Sequence, residues 1–133
     1  MLLHLDMGSE QPIYQQLRDQ IVLGIGHGEL STGERLPTVR QLADDIGVNM
    51  MTVSKAYTIL KQEGFIVIDR RHGATISPTA ENAQALRERL HPGLSLLIAE
   101  ARAKGLSEND FHAMCRELFA AMTGSSERGT TDA

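Results

Sequence analysis

The amino-acid sequence predicts a mainly α-helical fold with one small β-hairpin. Three observations predict it. Apolar residues recur at helical spacing through most of the chain, glycine- or proline-rich loops separate those segments, and one β-branched run interrupts them. At 133 residues, with 41% hydrophobic and 23% charged residues, the composition is that of an ordinary soluble globule. The length allows one small domain and an attachment.

The first helix is predicted over residues 12–22, with Pro12 in its first turn. The glycines at 24, 26 and 28 are interpreted as its frayed end, because no strand precedes them as a phosphate-binding loop requires. A glycine-rich loop over residues 28–37 closes with proline and leads to the next helix. The apolar positions of the first helix are Ile13, Leu17, Ile21 and Ile25.

The next two helices are short and joined by a glycine turn. Thr38 is the expected N-cap of the first, Gln41 completes a capping box, and Gly47 ends the helix. Asn49 is the expected N-cap of the second, which Gly64 ends. Such a pair is typical of a helix-turn-helix and points to DNA. The inward stripes are Val39, Leu42, Ala43 and Ile46, then Val53, Ala56, Tyr57 and Leu60.

The outward face of the second helix is the candidate DNA-reading surface. A thioether of Met51 or Met50 is suited to contact thymine methyl groups, with packing an equal alternative for Met50. Tyr57 is expected in the core with its hydroxyl bonded. For Arg40 the residues leave three alternatives open: a phosphate contact, a solvated cation or an ion pair with Asp44. The outward residues are Met51, Ser54, Lys55, Thr58 and Gln62.

A basic hairpin is predicted after the second helix. Residues 65–68 and 74–77 have strand character, and Arg70-Arg71-His72-Gly73 forms the turn between them. Arginines at such a tip can reach phosphates or the minor groove beside the helix. The alternative is a solvated turn on an ordinary β-ribbon.

The net charge of −4 does not favour a nucleic-acid binder, but the distribution of charge does. Between residues 49 and 72 the cations outnumber the anions Glu63 and Asp69. A patch of this size predicts weak non-specific binding that depends on specific contacts or dimerisation. The cations are Lys55, Lys61, Arg70 and Arg71.

The C-terminal part is predicted to be helical from residue 79 to Gly105, with a kink or a break at His91-Pro92-Gly93. Ser107 begins a further helix, and disorder is expected from residue 124. So few residues bury too little surface to be stable alone, which favours self-association over the alternative of a monomeric core. The expected dimerisation residues are Leu86, Leu90, Leu94, Leu97, Ile98, Phe111, Met114 and Leu118.

Several other classes are disfavoured. No apolar stretch approaches a membrane span and the first residues do not suit a signal peptide, so a cytoplasmic location is expected. The single cysteine, Cys115, suits a reducing compartment. With His112 it offers two ligands, too few for a metal site, and neither a metal nor a cofactor is predicted. No nucleophile or phosphate-loop motif indicates an enzyme.

Several motifs occur together in this chain, and they are Pro12–Leu17, Gly28–Pro37, Val39–Ala43, Gly47–Asn49 and Thr52–Tyr57. With these motifs, residues 8–77 resemble the N-terminal winged-helix domain of the GntR family of bacterial transcription regulators. The short helical extension resembles the YtrA subfamily of that family. The resemblance implies DNA contacts for Arg40, Thr52 and Lys55 and favours a phosphate as the partner of Arg40. Met50-Met51 and His72-Gly73-Ala74 depart from the usual pattern.

The sequence thus predicts a winged helix-turn-helix over 1–78, a helical dimerisation segment over 79–123 and a disordered tail over 124–133. The expected function is a homodimeric DNA-binding regulator, a repressor by family precedent, acting on a palindromic operator. The alternatives are a protein-association module and a sensor of an unknown small-molecule effector bound between subunits. The expected DNA-binding residues are Thr38, Arg40, Asn49, Met50, Met51, Thr52, Ser54, Lys55, Thr58, Arg70, Arg71, His72 and Gly73.

Overall fold

The computed structural model describes residues 3–130, with side chains described as far as residue 122. The chain divides into two compact units, Met1–Thr79 and Ala80–Ala133. The first contains three helices and an antiparallel hairpin, and the second contains two helices. The elements are α1 (Ile13–Gly26), α2 (Val39–Ile46), α3 (Met50–Gln62), β1 (Ile66–Asp69), β2 (Gly73–Ile76), α4 (Ala83–Ala103) and α5 (Glu108–Thr130).

The core of the first unit lies between α1, α2, α3 and the hairpin. Its helical residues come from the predicted apolar stripes, and two loop leucines and three hairpin residues complete it. The face of α3 opposite its buried stripe is exposed. The predicted helix-turn-helix is therefore confirmed. The buried core comprises Leu17, Ile21, Leu30, Leu36, Leu42, Ala43, Val53, Ala56, Tyr57, Leu60, Ile66, Ala74 and Ile76.

The loop before α2 pairs with the hairpin through an isolated β-bridge that the sequence did not indicate. Ile66 pairs with Ile76 at the open end of the hairpin. Along the other edge of β2, the loop before α2 runs antiparallel, with Arg35 opposite Thr75. The backbone N–H of Leu36 donates to the carbonyl of Ala74 at 2.8 Å. These bonds fix the loop as part of the wing, because they satisfy backbone groups of β2 that would otherwise form a free edge.

Two of the three glycines near the end of α1 lie inside the helix, contrary to the prediction. We expected a frayed end, but the helix continues to Gly26 and turns at Gly28, whose φ is +79°. Gly24 is buried inside the helix. A Cβ at Gly24 would lie 2.9 Å from Cδ1 of Leu30, so glycine is there to admit that buried leucine.

Two glutamines of α1 hold the N-terminal segment through its backbone. The buried side chain of Gln16 donates to the carbonyl of Asp6 at 2.9 Å and accepts from its N–H at 2.8 Å. Gln20 binds both backbone groups of His4 in the same way. Each amide thereby replaces the partners that a neighbouring strand would supply.

In the second unit, α4 is a single helix through Pro92, so the predicted alternative of a break into two helices is wrong. Pro92 deprives the carbonyl of Glu88 of its helical donor, but both residues are exposed and water can bind that carbonyl. Asn82 caps α4, accepting from the N–H of Ala85 at 2.8 Å. Gly105 ends the segment with φ +91°.

The last helix, α5, begins as predicted, since Ser107 Oγ accepts from the N–H of Asp110 at 3.1 Å. It continues to Thr130, through part of the segment expected to be disordered. The chain has no proline after Pro92, so no residue there lacks the N–H that a helix needs. The rest of that expectation falls on residues 131–133, which lie outside the described residues. No helix within residues 3–130 is long and apolar enough to cross a membrane.

Candidate nucleic-acid interface

The start of α2 is fixed by a reciprocal cap. Thr38 Oγ1 accepts from the N–H of Gln41 at 3.1 Å, and Gln41 Oε1 accepts from the N–H of Thr38 at 3.0 Å. Gly47 then ends the helix in the left-handed region, with φ +70°. Asn49 caps α3 by accepting from the N–H of Met51 at 2.6 Å. The predicted caps are confirmed, and they set the direction in which α3 leaves the turn.

The outward face of α3 is open along its length. Met51 is 78% exposed, and Met50 at the first turn is also exposed. Ser54 and Thr58 follow on the same face, where the Thr58 hydroxyl donates to the carbonyl of Ser54 at 2.9 Å. Because two large apolar side chains stand at the helix N-terminus, this face has an apolar tip and a polar body. Such a tip suits contact with apolar groups in a DNA groove.

Tyr57 lies on the opposite face of α3, in the core. Its hydroxyl donates to the carbonyl of Pro37 at 2.7 Å, as the sequence led us to expect. Burial raises the pKa of the Tyr57 phenol, because the phenolate would lose its hydration there. Tyr57 therefore anchors the loop before α2 to α3, and does not offer its ring to a base.

The wing turn is organised by Asp69 at the end of β1. One carboxylate oxygen accepts from the backbone N–H groups of Arg71, at 2.8 Å, and His72, at 2.5 Å. These bonds, chiefly the one from the His72 backbone, lower the pKa of Asp69. Gly73 follows with φ +66° as the first residue of β2, so the turn itself is 70–72. The carboxylate thus holds the turn that presents the basic side chains.

A groove of about 510 Å³ lies between the wing and the helix pair. It brings together predicted site residues that are distant in sequence: Thr38 from the start of α2, Ser54 and Thr58 from α3, and residues 70–73 from the wing. It also contains Arg35, which the sequence analysis missed. In the sequence, Arg35 is marked only as a cation just before Leu36-Pro37. Its position on the wing follows from the pairing of Arg35 with Thr75 of β2.

The remaining predicted DNA contacts surround this groove without lining it. Arg40 is exposed, and among the residues with described side chains it forms no ion pair with Asp44. Lys55 stands beside Met51 on α3, with its ammonium 3.9 Å from the ring centroid of Tyr14. Asn49 is exposed and Thr52 is half-exposed at the helix start.

The predicted dimerisation residues form an apolar surface on α4 and α5. Leu86 and Phe111 are half-buried, and the others are exposed, Leu97 at 58%. The two helices form an open, mainly apolar cleft of about 610 Å³. Its apolar lining includes Leu94, Leu97, Phe111, Met114 and Leu118.

Within residues 3–122, no group of three or more His, Cys, Asp or Glu side chains is placed to hold a metal ion. His112 lies 3.9 Å from a carboxylate oxygen of Glu108 on the same helix. Both side chains are exposed, so this contact contributes little to stability.

Residues 10–76 match the model of the gntR family of bacterial regulatory proteins. The chain is also similar to the HTH-type transcriptional repressor YtrA of Bacillus subtilis strain 168. The two are 33% identical over 92% of this chain and 96% of that protein.

Among solved structures, the chain is similar to a transcriptional antiterminator from Listeria monocytogenes EGD-e. They share 26% identity over 92% of each chain, with a TM-score of 0.79. It is also similar to the DNA-binding domain of AraR in complex with operator ORX1, at 26% identity over 56% of this chain and 93% of that one, with a TM-score of 0.50. The chain therefore belongs to the gntR family of bacterial regulatory proteins, and it is a YtrA-like DNA-binding transcription regulator.

Proposed function

We propose that this regulator is a repressor that binds a two-fold symmetric operator as a homodimer. The observation that carries the proposal is the groove shared by the wing and the helix pair, where the exposed face of α3 meets three arginines. The similarity to the repressor YtrA over almost the whole chain supports repression. The arginines are Arg35, Arg70 and Arg71.

In this proposal, α3 enters the major groove with its N-terminal end leading. Met50 and Met51 contact thymine methyl groups, and Ser54 and Thr58 face base edges or the sugar-phosphate backbone. Asn49 and Thr52 stand at the helix start, where free N–H groups favour a phosphate. The complex of the AraR DNA-binding domain with operator ORX1 supports operator DNA as the partner.

The phosphate contacts come from the elements on either side of α3. Arg40 and Thr38 at the start of α2 bind phosphates of one DNA strand. The wing turn, with Arg70, Arg71 and His72, binds the DNA beside the major groove that α3 enters. Because Gly73 has no side chain, the backbone of the wing can approach the DNA closely. Arg40, Arg70 and Arg71 form no ion pair with a carboxylate among the side chains of residues 3–122. Their charges are expected to matter most for DNA binding, because the chain as a whole is acidic.

A second copy of the chain is expected to cover the apolar surface of α4 and α5. One winged helix reads only a short site, and a two-fold dimer doubles the contacts on a palindrome. A regulator of bacterial genes must reach the chromosome, so a cytoplasmic location is part of the proposal. A small-molecule effector between the subunits stays a prediction, and the apolar cleft of the second unit is where we expect it.

The test is selection of duplexes from a random library, followed by fluorescence anisotropy with the selected and a scrambled duplex. We expect preference for a two-fold sequence and affinity that falls steeply with salt. Arg71→Ala should weaken binding to both duplexes by a similar factor and reduce the salt slope by about one. Met51→Ala should instead reduce the preference between the duplexes.

Arg116→Ala is the matched control, since Arg116 is an exposed cation on α5 and is not among the predicted DNA-binding or dimerisation residues. It should leave the affinity and the salt slope unchanged. Selection of no sequence, together with equally weak binding to unrelated duplexes, would contradict the proposal and favour a role in protein association.

A further inference from the structure

Lys55, on the exposed face of α3, has an aromatic partner on another helix. Its ammonium nitrogen lies 3.9 Å from the ring centroid of Tyr14, in the first turn of α1. This is well within the ~6 Å over which a cation and an aromatic ring attract. Among the side chains of residues 3–122, no carboxylate forms an ion pair with this ammonium. Lys55 is therefore oriented by an uncharged group, and its charge is not neutralised.

We propose that Tyr14 is a positioning residue for DNA binding, which holds the Lys55 ammonium ready to bind a phosphate of the duplex. The inference rests on the proposed function, because it assigns a role to a side chain next to the proposed DNA-reading face. An ammonium carries three N–H donors. One side of the group can rest on the ring while the other donates to phosphate oxygens.

The choice of partner has a physical consequence. A carboxylate would orient Lys55 equally well, but it would compete with the phosphate and repel it. The tyrosine ring attracts the cation without repelling an approaching anion in this way. Tyr14 packs against the core and is half-buried, so its ring is itself held in place.

Preorientation also reduces the entropy lost on binding. A lysine side chain has a long flexible stem, and fixing it at an interface opposes association. Here part of that freedom is already lost in the free protein, because the ring holds the ammonium at the end of the side chain. The expected role is thus a gain in affinity for DNA of any sequence, since a phosphate contact carries no sequence information.

A double-mutant cycle tests the coupling, with anisotropy on the selected and the scrambled duplex. Tyr14→Leu removes the ring and should raise Kd by about two- to five-fold on both duplexes. Tyr14→Phe is the matched control, since it keeps the ring and should retain the affinity. In a Lys55→Met background, Tyr14→Leu should have no further effect.

A measurement on the free protein checks the contact without DNA. The ring should shift the NMR resonances of the Lys55 ε-methylene protons upfield, and Tyr14→Leu should abolish that shift. Circular dichroism of the thermal transition shows whether each variant is folded.

The outcomes separate the two proposals. An equal loss of affinity from Tyr14→Leu with and without Lys55 would overturn the positioning role, while sequence-dependent binding by the unaltered protein would still support the regulator. A lysine resonance without an upfield shift would also overturn it. Absence of sequence-dependent binding by the unaltered protein would contradict the proposed function itself.

Discussion

At the scale of single residues, the wing depends on the carboxylate of Asp69. The side chain is exposed, yet it accepts two backbone N–H bonds that close the turn between β1 and β2. The turn contains Arg70, Arg71 and His72, so the shape of the basic tip is determined by an acidic residue. From the sequence alone, this aspartate is only an anion that lowers the net charge of the basic patch. In the structure its carboxylate closes the turn that presents the basic side chains.

The lowered pKa of Asp69 predicts how the turn responds to acid. The bonds that lower the pKa of Asp69 stabilise the folded turn. This stabilisation is fully present above the pKa of the unfolded carboxyl group, about 3.9. That stabilisation is lost as the pH falls through the lower folded value. The N–H resonances of Arg71 and His72 should therefore shift together with the Asp69 carboxyl carbon in an NMR titration.

Asp69→Asn is the control for this titration, because an amide at that position cannot ionise. The resonances of the turn should then lose their common transition. Resonances that titrate unchanged in the variant would show that another group governs the turn.

At the scale of elements, α1 supports the candidate interface without forming its surface. Leu17 and Ile21 are fully buried against the rest of the core, and Arg18 binds Glu63 at the end of α3 with an Nε to Oε1 distance of 2.9 Å. The pKa of Arg18 is raised, chiefly by its hydrogen bond to Glu63. The direction of α3 thus depends on α1 as well as on its own cap.

Two leucines of α1 provide a matched test of this packing. Leu17 is completely buried, whereas Leu23 is 50% exposed. Leu17→Ala should lower the free energy of unfolding by about 2–5 kcal/mol. Leu23→Ala should change it by less than about 0.5 kcal/mol.

Urea unfolding followed by tyrosine fluorescence measures the first unit alone. The chain has two tyrosines and no tryptophan, and both Tyr14 and Tyr57 lie in that unit. Equal destabilisation by the two substitutions would contradict the assignment of the core face of α1.

At the scale of the whole molecule, the second unit differs from the first in how it is stabilised. None of the described side chains of α4 is buried, although the helix carries a continuous apolar stripe. A helix with such a stripe needs another apolar surface to cover it. The proposed homodimer supplies that surface from a second copy of the chain.

Two neighbouring leucines of α4 test the dimer. Leu97 lies on the apolar stripe at 58% exposure, and Leu96 lies off it at 70%. Leu97→Glu places a charge in the proposed interface and should convert the dimer to monomers in sedimentation equilibrium. It should also weaken operator binding.

Leu96→Glu should leave the dimer intact, because the same charge remains in water. A Leu97→Glu variant that stays dimeric at the same concentration would show that the copies associate through another surface. A monomeric unaltered protein would contradict the dimer proposal altogether.

The sequence by itself determined the helix-turn-helix, because its signals are local. The helix ends are set by short-range contacts with backbone groups at Thr38, Gln41, Gly47 and Asn49. The spacing of these residues along the chain is therefore enough to place the caps. The buried stripe of α3 follows equally from helical periodicity.

Only the tertiary structure decided which distant residues meet. No periodic pattern in the sequence indicates the place of Arg35 on the wing, the contact of Lys55 with Tyr14 or the approach of Leu30 to Gly24. The helical path through Pro92 was likewise undecided, since the cost of the freed carbonyl depends on its exposure to water. Local hydrogen bonds repeat with sequence spacing, whereas contacts between elements depend on how their surfaces pack.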